Sequence, residues 1–474
     1  MYLGLDLGTS GLKGLLVGED QAVIQEASAP LTVSRPHDAW SEQDPSDWLD
    51  ACRAVCAALG DLSGVRAVGL SGQQHGATIL GADRAPLRPC MLWNDTRAAA
   101  EASDFDDEAT RAAIGSITFP GFTAPKVEWV RRNEPEVFEA ARLILLPKDY
   151  LRLWLTGEAV SDMSDASGTG WLDVGARDWS DPLLKRSGLS RDHMPALAEG
   201  SAPAGTISRA AADATGLPAG IPVAGGGGDN AASAVGVGVV TPGIAFASLG
   251  TSGVLFAATA RFDPRPETAV HEFAHALPDL WHQMGVILAA TDALEWLSKV
   301  LGRTAADLTS GLGPLRAPGR TAFLPYLGGE RTPHNDAALR GAFAGLGHAS
   351  DADAMTRAVL EGVAFAFADC RDALAATGTR IERLIGVGGG TRSDYWVAAL
   401  ATALDMPVEL PVSGDFGGAF GAARLAMMAD GAGTDIATVP PIARAVEPDP
   451  GLRDAFAAGH ARHRDLADRM KGLA

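Results

Sequence analysis

Five letters occur twice in this chain. Leu-Gly-Thr-Ser-Gly begins at Leu7 and again at Leu249, an offset of 249 − 7 = 242 residues in a chain of 474. A turn built from Gly, Thr and Ser lets successive backbone N–H groups converge on one point. The hydroxyls add donors, and glycine permits close approach, so such a turn makes a nest for a phosphate. In the first copy Thr9 and Ser10 supply the hydroxyls, and Lys13 on the return strand could reach the same anion; in the second the corresponding residue is Thr251. The residue before the turn is Asp6 in the first copy and Ser248 in the second. A lone copy reads as an ordinary hairpin turn, whereas two copies at equivalent places point to phosphate binding in both halves of the chain.

Two further glycine stretches carry candidate chemistry. Residues 386–396 read GVGGGTRSDYW, glycines after an apolar run and before a helical one. That is where α/β proteins bind nucleotides. Neither the G-x-G-x-x-G fingerprint nor a G-x-x-x-x-G-K-[ST] loop occurs, so a nucleotide fold of another kind is implied. The other stretch is Gly225 to Gly228, followed directly by Asp229 and an Ala-rich helical run. Asp229 reads as the helix N-cap. Four glycines exceed what a cap needs and suit a place where another molecule approaches the backbone and meets one carboxylate. A third pattern is a decoy. His271, Glu272 and His275 spell H-E-x-x-H, which binds zinc when it lies on a helix. Here Pro266 and Pro278 crowd it and its flanks read as strand or loop, so no metal site is expected.

These residues need elements to hold them. Residues 2–7 are a short apolar strand, 8–11 a turn, 12–18 a return strand, and 21–27 a third strand. From Pro45 the spacing turns helical, with Trp48, Leu49, Cys52, Val55, Cys56 and Leu59 recurring at three or four residues. Residues 65–72 are again a strand ending in glycine. The second half repeats this grammar: strand, turn and strand over 243–259, a long amphipathic helix over 351–375, and a buried strand from Arg383 into the glycine loop, with a helix following. Strands alternating with helices predict a mixed α/β sheet in each half. The division falls near Thr241-Pro242-Gly243, giving an N-terminal lobe of residues 1–240 and a C-terminal lobe of 241–474.

Composition narrows the function. With 39 basic and 58 acidic residues the net charge is −19, which argues against nucleic acid and anionic membranes as partners. Cys52, Cys56, Cys90 and Cys370 read as buried thiols in a reducing compartment. No apolar run approaches the ~18 residues of a spanning helix. The first residues lack a basic stretch before the apolar one. A cytoplasmic protein is expected.

Taken together, these motifs resemble the FGGY carbohydrate kinases of the actin-like ATPase superfamily. The resemblance is carried by SRPHDAWSEQDP (34–45), SGQQHGATIL (71–80), LWNDTR (92–97), PGFTAPKVEWV (120–130), LLPKDYLRLWLTGE (145–158), SDMSDASGT (161–169), GGGDNAA (226–232), SLGTSGV (248–254) and FLPYLGGERTPH (323–334). It implies two similar ribonuclease H-like lobes, each a mixed sheet flanked by helices, with an interdomain cleft. It implies ATP-dependent phosphorylation of D-xylulose to the 5-phosphate; another ketose or polyol (ribulose, a deoxy-ketose, xylitol, glycerol) is the alternative substrate, and a non-catalytic sugar sensor the minor alternative. Asp229 matches the family's catalytic base, and Asp6 its magnesium anchor, so both are candidate Mg²⁺ ligands. Thr9, Ser10, Lys13 and Thr251 would hold the terminal phosphates of ATP, and Gly389 and Gly390 the adenosine. Asn230 resembles a sugar-hydroxyl contact, and Trp93, Asn94 and Asp95 resemble a segment near the sugar. His75 lies in a motif usually written Q-M-H-G. Here it reads Q-Q-H-G, with Gln74 in place of methionine, and that amide could alter the sugar preference. Two lobes on one nucleotide imply closure about a hinge, and a homodimer is compatible with the sequence.

Overall fold

The computed structural model describes residues 1–412, 414 and 416–473. Its first sheet opens with the expected hairpin, β1 (Tyr2–Leu7) and β2 (Gly11–Val17), in antiparallel register with Asp6 opposite Lys13. β3 (Val23–Pro30) continues the meander, while β4 (Ala67–Gly72) runs parallel to β1 on its other side, with Ser71 beside Asp6. Beyond β4 lie β5 (Pro203–Thr206) and β6 (Pro222–Ala224), in the order β5-β6-β4-β1-β2-β3; the short β7 (Gly227–Gly228) also pairs with β4. β1 and β4 are almost wholly buried, which is why both read as near-continuous apolar runs rather than alternating ones.

The second sheet repeats the pattern. The hairpin of β8 (Ile244–Leu249) and β9 (Gly253–Thr259) carries the second Leu-Gly-Thr-Ser-Gly turn. β10 (His271–Ala274) and β11 (Trp281–Ile287) extend it on the β9 side; β12 (Arg383–Val387) runs parallel to β8, followed by β13 (Val408–Pro411) and β14 (Ile442–Val446). In each sheet the hairpin's first strand has a parallel neighbour from later in the chain, so the two turns project from equivalent strand ends.

Helices cover the faces. α1 (Pro45–Leu59) starts on Asp44, whose carboxylate accepts the Ser46 N–H, and it buries Trp48, Cys52, Val55, Cys56 and Leu59 as the spacing predicts. Helices used below are α2 (Thr123–Asn133), α3 (Pro147–Thr156), α4 (Met163–Ser167) and α5 (Asp229–Val237) from the first half, and α6 (Thr291–Leu301), α7 (Ala352–Ala376), α8 (Asp394–Leu404), α9 (Gly418–Ala429) and α10 (Arg453–Met470) from the second. One placement has no counterpart in the sequence reading. α9 lies on the first sheet and against α5. A Cβ on Gly4 would sit 1.9 Å from the Ala419 carbonyl oxygen, on Gly69 1.8 Å from that of Ala422, and on Gly421 1.7 Å from that of Ala232. Backbone meets backbone there, which only glycine permits.

The H-E-x-x-H stretch begins on β10, not on a helix, so His271 and Glu272 point to opposite sheet faces. His271 pairs with the Ser116 hydroxyl, Glu272 accepts the Asp263 N–H, and His275 Nε2 donates to the Val239 carbonyl. Among the described residues no cluster of three His, Cys, Asp or Glu could hold a metal ion, and no helix is long and apolar enough to cross a membrane. All four cysteines are buried free thiols.

Candidate active site in the cleft

Asp6 is the half-buried residue of β1, between the buried Leu5 and Leu7, and the Ser71 hydroxyl on β4 donates to its Oδ1 at 2.8 Å. Gly227 and Gly228 pair with Ser71 and Gly72, so the chain delivers Asp229 beside the same strand ends. Asp229 is the first residue of α5 rather than its cap. Gly228 occupies the cap position, and no side chain caps the helix. The Asp229 carboxylate instead accepts its neighbour, taking Asn230 N at 2.7 Å and Asn230 Nδ2 at 3.0 Å. Burial, and next the negative charge of Asp6, push the Asp229 carboxyl up to about 7, although both Asn230 hydrogen bonds oppose the shift. A carboxylate poised near neutrality can take a proton and be recharged at working pH.

The first turn is braced from below. Thr9 Oγ1 donates to Gln73 Oε1 at 2.8 Å and accepts Trp93 Nε1 at 2.9 Å, while the Thr9 carbonyl accepts Gln43 Nε2 at 2.7 Å. Trp93 therefore braces the first Leu-Gly-Thr-Ser-Gly turn. Ser10 is exposed, and its carbonyl accepts Leu31 N. Lys13 pairs with Glu26 at 3.1 Å on the same face as Asp6.

The candidates for the sugar side separate. His75 Nδ1–H donates to the Gly168 carbonyl at 2.7 Å, and the ring stacks on Phe122 at 4.7 Å. Burial holds His75 neutral, its pKa down to about 3, and Lys126 and Arg331 act in the same direction. Its φ of 69° is left-handed, a conformation uncommon outside glycine and concentrated at functional sites. Gln74 is committed internally: Nε2 donates to the Ser164 carbonyl at 3.1 Å, and its side chain lies against Gly228. Asp95 departs from the expectation of a sugar contact. It is fully buried, its carboxylate taken by Arg97 Nη2 at 2.6 Å and Ser41 N at 2.7 Å. Asn94 is half-buried, and its Oδ1 has no hydrogen-bond partner among the described residues.

Two cavities adjoin the third glycine stretch. One of about 980 Å³ is lined by Thr291 and Glu295 of α6, by Gly389, Gly390 and Arg392, and by Trp396 of α8. A second of about 730 Å³ lies between the halves and is lined by Asn230, Ser233, Phe246, Ser248, Gly388 and Phe416, among others. Asn230 thus faces the second sheet as well as Asp229. Gly388, at φ 90°, passes so close to Leu249 that a Cβ would meet its carbonyl oxygen at 2.7 Å. The second turn and the third glycine stretch are therefore adjacent. The Thr251 carbonyl accepts Ala290 N at 2.8 Å, which ties that turn to the start of α6.

Some residues near the site were not singled out by sequence. Lys126 of α2 is fully buried and donates to the carbonyls of His75, Met91 and Leu92. Burial lowers its pKa to about 7. Arg331 lies over the Phe119 ring at 5.1 Å and has no ion-pair partner among the described residues; its charge reaches both His75 and His271. The Gly-Glu-Arg-Thr-Pro run around it was the available signal.

Known proteins place this arrangement. Residues 1–236 match the N-terminal domain of the FGGY family of carbohydrate kinases, and residues 245–429 match its C-terminal domain. A xylulose kinase of Escherichia coli K12 is 49% identical over 438 residues, 90% of each chain. A crystal structure described as a xyloylose kinase from Brucella ovis superposes with a TM-score of 0.97 at 56% identity over 100% of both chains. That of xylulose kinase from Rhodospirillum rubrum does so with a TM-score of 0.91 at 30% identity, over 99% of both. Two mixed sheets that each open with the same Leu-Gly-Thr-Ser-Gly hairpin, matched by both family domains in order, make this chain a member of the FGGY family of carbohydrate kinases.

Proposed function

We propose that this carbohydrate kinase transfers the γ-phosphoryl group of ATP to D-xylulose, forming D-xylulose 5-phosphate and ADP, with Asp229 as general base. The observation that carries the mechanism is the half-buried Asp229, which Gly227 and Gly228 deliver beside the strand ends that hold Asp6, close enough for the Asp6 charge to raise its carboxyl. The sugar assignment is supported by the xylulose kinases at 49% and 48% identity over 90% of the chain.

The terminal sugar hydroxyl attacks the γ-phosphorus, the bond to the ADP oxygen breaks, and the hydroxyl proton passes to Asp229. Phosphoryl transfer leaves the protein mainly alignment and charge neutralisation. The turn at Thr9 and Ser10, with Lys13, faces the terminal phosphates from an N-terminal lobe ending near residue 240, and Thr251 faces them from the C-terminal lobe; Gly389 and Gly390 line the cavity for the adenosine. Asp6 and Asp229 fit a Mg²⁺ site: two neighbouring carboxylates, too few to cage an ion alone, suit a metal that keeps waters and phosphate oxygens as its other ligands. When bound, Mg²⁺ offsets the negative charge of the phosphates. His75, neutral and fixed through Nδ1, presents its other ring nitrogen as an acceptor for a sugar hydroxyl.

A second reading keeps the chemistry and changes the sugar, on the ground that Gln74 stands beside His75. ADP release is measured with Mg-ATP and D-xylulose, L-xylulose, D-ribulose, L-ribulose, D-fructose, xylitol and glycerol. Highest kcat/KM for D-xylulose supports the proposal; dominance of another sugar replaces the substrate and leaves the mechanism.

A further inference from the structure

A cluster of charged side chains lies fully buried beneath the catalytic loop. α3 contributes Lys148, Asp149 and Arg152; Asp162 caps α4, which contributes Ser164 and Asp165; all six have zero exposure. Lys148 Nζ sits 2.5 Å from Asp149 Oδ1, 2.9 Å from Asp162 Oδ1 and 3.3 Å from Asp165 Oδ2. Burial, helped by its two carboxylate neighbours, drives the Asp165 carboxyl well above the usual range.

Such a cluster is expensive to bury, and apolar residues of the same volume often serve stability better. Its hydrogen bonds show where its benefit goes. Arg152 Nη1 donates to the Ala224 carbonyl at 2.6 Å, and Nη2 to that of Gly225 at 2.5 Å. The Ser164 hydroxyl donates to Asp162 Oδ2 at 2.5 Å and accepts the Gly228 N–H at 3.1 Å. The Ser164 carbonyl accepts Gln74 Nε2, whose side chain lies against Gly228. The grips fall at both ends of a stretch of four glycines, the most pliable backbone a chain can have. The residue following the last grip is Asp229.

We propose that Arg152 and Ser164 are positioning residues for phosphoryl transfer: Ser164, bonded to the Asp162 that pairs with Lys148, and Arg152, buried in the same cluster, hold the glycine segment 224–228 so that the Asp229 carboxylate meets the acceptor hydroxyl. This rests on Asp229 being the base. Displacing a reacting group by about 1 Å can cost about 100-fold in rate, whereas substrate contacts elsewhere in the cleft remain.

The test compares Ser164→Ala, Ser164→Thr and Asp229→Asn in the full-length protein with Mg-ATP and D-xylulose. Expected for Ser164→Ala is a kcat loss of about 10- to 100-fold, with KM for both substrates within about twofold and a cooperative unfolding transition retained. Ser164→Thr keeps the hydroxyl but crowds a fully buried position, so it perturbs packing more and the hydrogen bond less. It is expected to be less stable than Ser164→Ala yet to recover most of the lost kcat. The proposal is overturned if Ser164→Ala keeps more than half of wild-type kcat, if its loss appears in KM, or if Ser164→Thr is no more active than Ser164→Ala. Should Ser164→Ala not fold, Asp162→Asn, which weakens the acceptor of the Ser164 hydroxyl at constant volume, must show the same loss confined to kcat, and wild-type kcat there overturns the proposal. An active Asp229→Asn defeats the general-base reading instead, whatever the Ser164 variants do.

Discussion

Replacing Asp229 by Asn removes one proton acceptor and almost no volume. The Asn230 N–H and amide still find an oxygen at position 229, so the local hydrogen bonds that start α5 can persist. A general base contributes about 10²–10⁴ in rate, equivalent to about 2.7–5.4 kcal/mol of barrier. The structure adds a pH signature. Burial and Asp6 place the Asp229 carboxyl at about 7 in the free protein. On the general-base proposal Asp229 works ionised, so activity is expected to fall as pH falls through 7. Its ionised fraction drops from about ten-elevenths at pH 8 to about one-eleventh at pH 6 for a group of that pKa, a fall of about tenfold in kcat/KM. Asp6→Asn removes the nearby negative charge, so the acidic limb of its residual activity moves to lower pH. Coupled measurement of ADP release between pH 5.5 and 8.5, on wild type and both variants, reads all three effects. More than a tenth of wild-type kcat in Asp229→Asn, or a flat kcat/KM profile between pH 6 and 8, would refute the reasoning.

Three more perturbations follow from the geometry. Gly69→Ala places a Cβ 1.8 Å from the Ala422 carbonyl oxygen, so α9 must lift from the first sheet; a loss of about 1–3 kcal/mol or more is expected in denaturant unfolding. Trp93→Phe deletes the donor to Thr9 Oγ1; one hydrogen bond of about 0.5–1.5 kcal/mol should raise KM for ATP roughly two- to tenfold while leaving KM for the sugar unchanged. Glu330 is buried, and its carboxyl is pushed from an ordinary 4.5 up to about 8, chiefly by that burial. Between those values the folded protein keeps a proton that the unfolded chain has lost, so this group's contribution to stability declines as pH rises from 4.5 to 8. Glu330→Gln has no such proton to lose, and its stability relative to wild type should improve by on the order of a few kcal/mol between pH 5 and pH 8, read from paired unfolding curves; a constant difference would contradict it.

Much of the architecture is legible without coordinates because it is local. The two Leu-Gly-Thr-Ser-Gly turns lie between strands 2–7 and 11–17 and between strands 244–249 and 253–259, as their apolar runs imply. The stripe from Trp48 to Leu59 is the buried face of α1, and the prolines around H-E-x-x-H rightly speak for strand and loop. Periodicity and turn chemistry act over a few residues, so a sequence displays them directly. Partners are another matter. Gln74, Trp93 and Asp95 stand close to candidate motifs, yet their polar atoms are taken up by Ser164, Thr9 and Arg97. Lys148 and Asp162 look like surface charges until α3 and the segment before α4 fold over each other and expel water. Arg331 meets the charge environment of His75 only because the second sheet approaches the first. Nothing near Gly4, Gly69 or Gly421 marks them as the surface on which α9 lands, since a glycine needed for close approach has the same letter as one needed for a turn. By itself the sequence determined the strands, the turns, the acid at one turn and the lone Asp229 after its glycines. Tertiary structure alone decided which of the polar side chains remain available to a ligand, because most of the contacts that take them up join segments tens of residues apart.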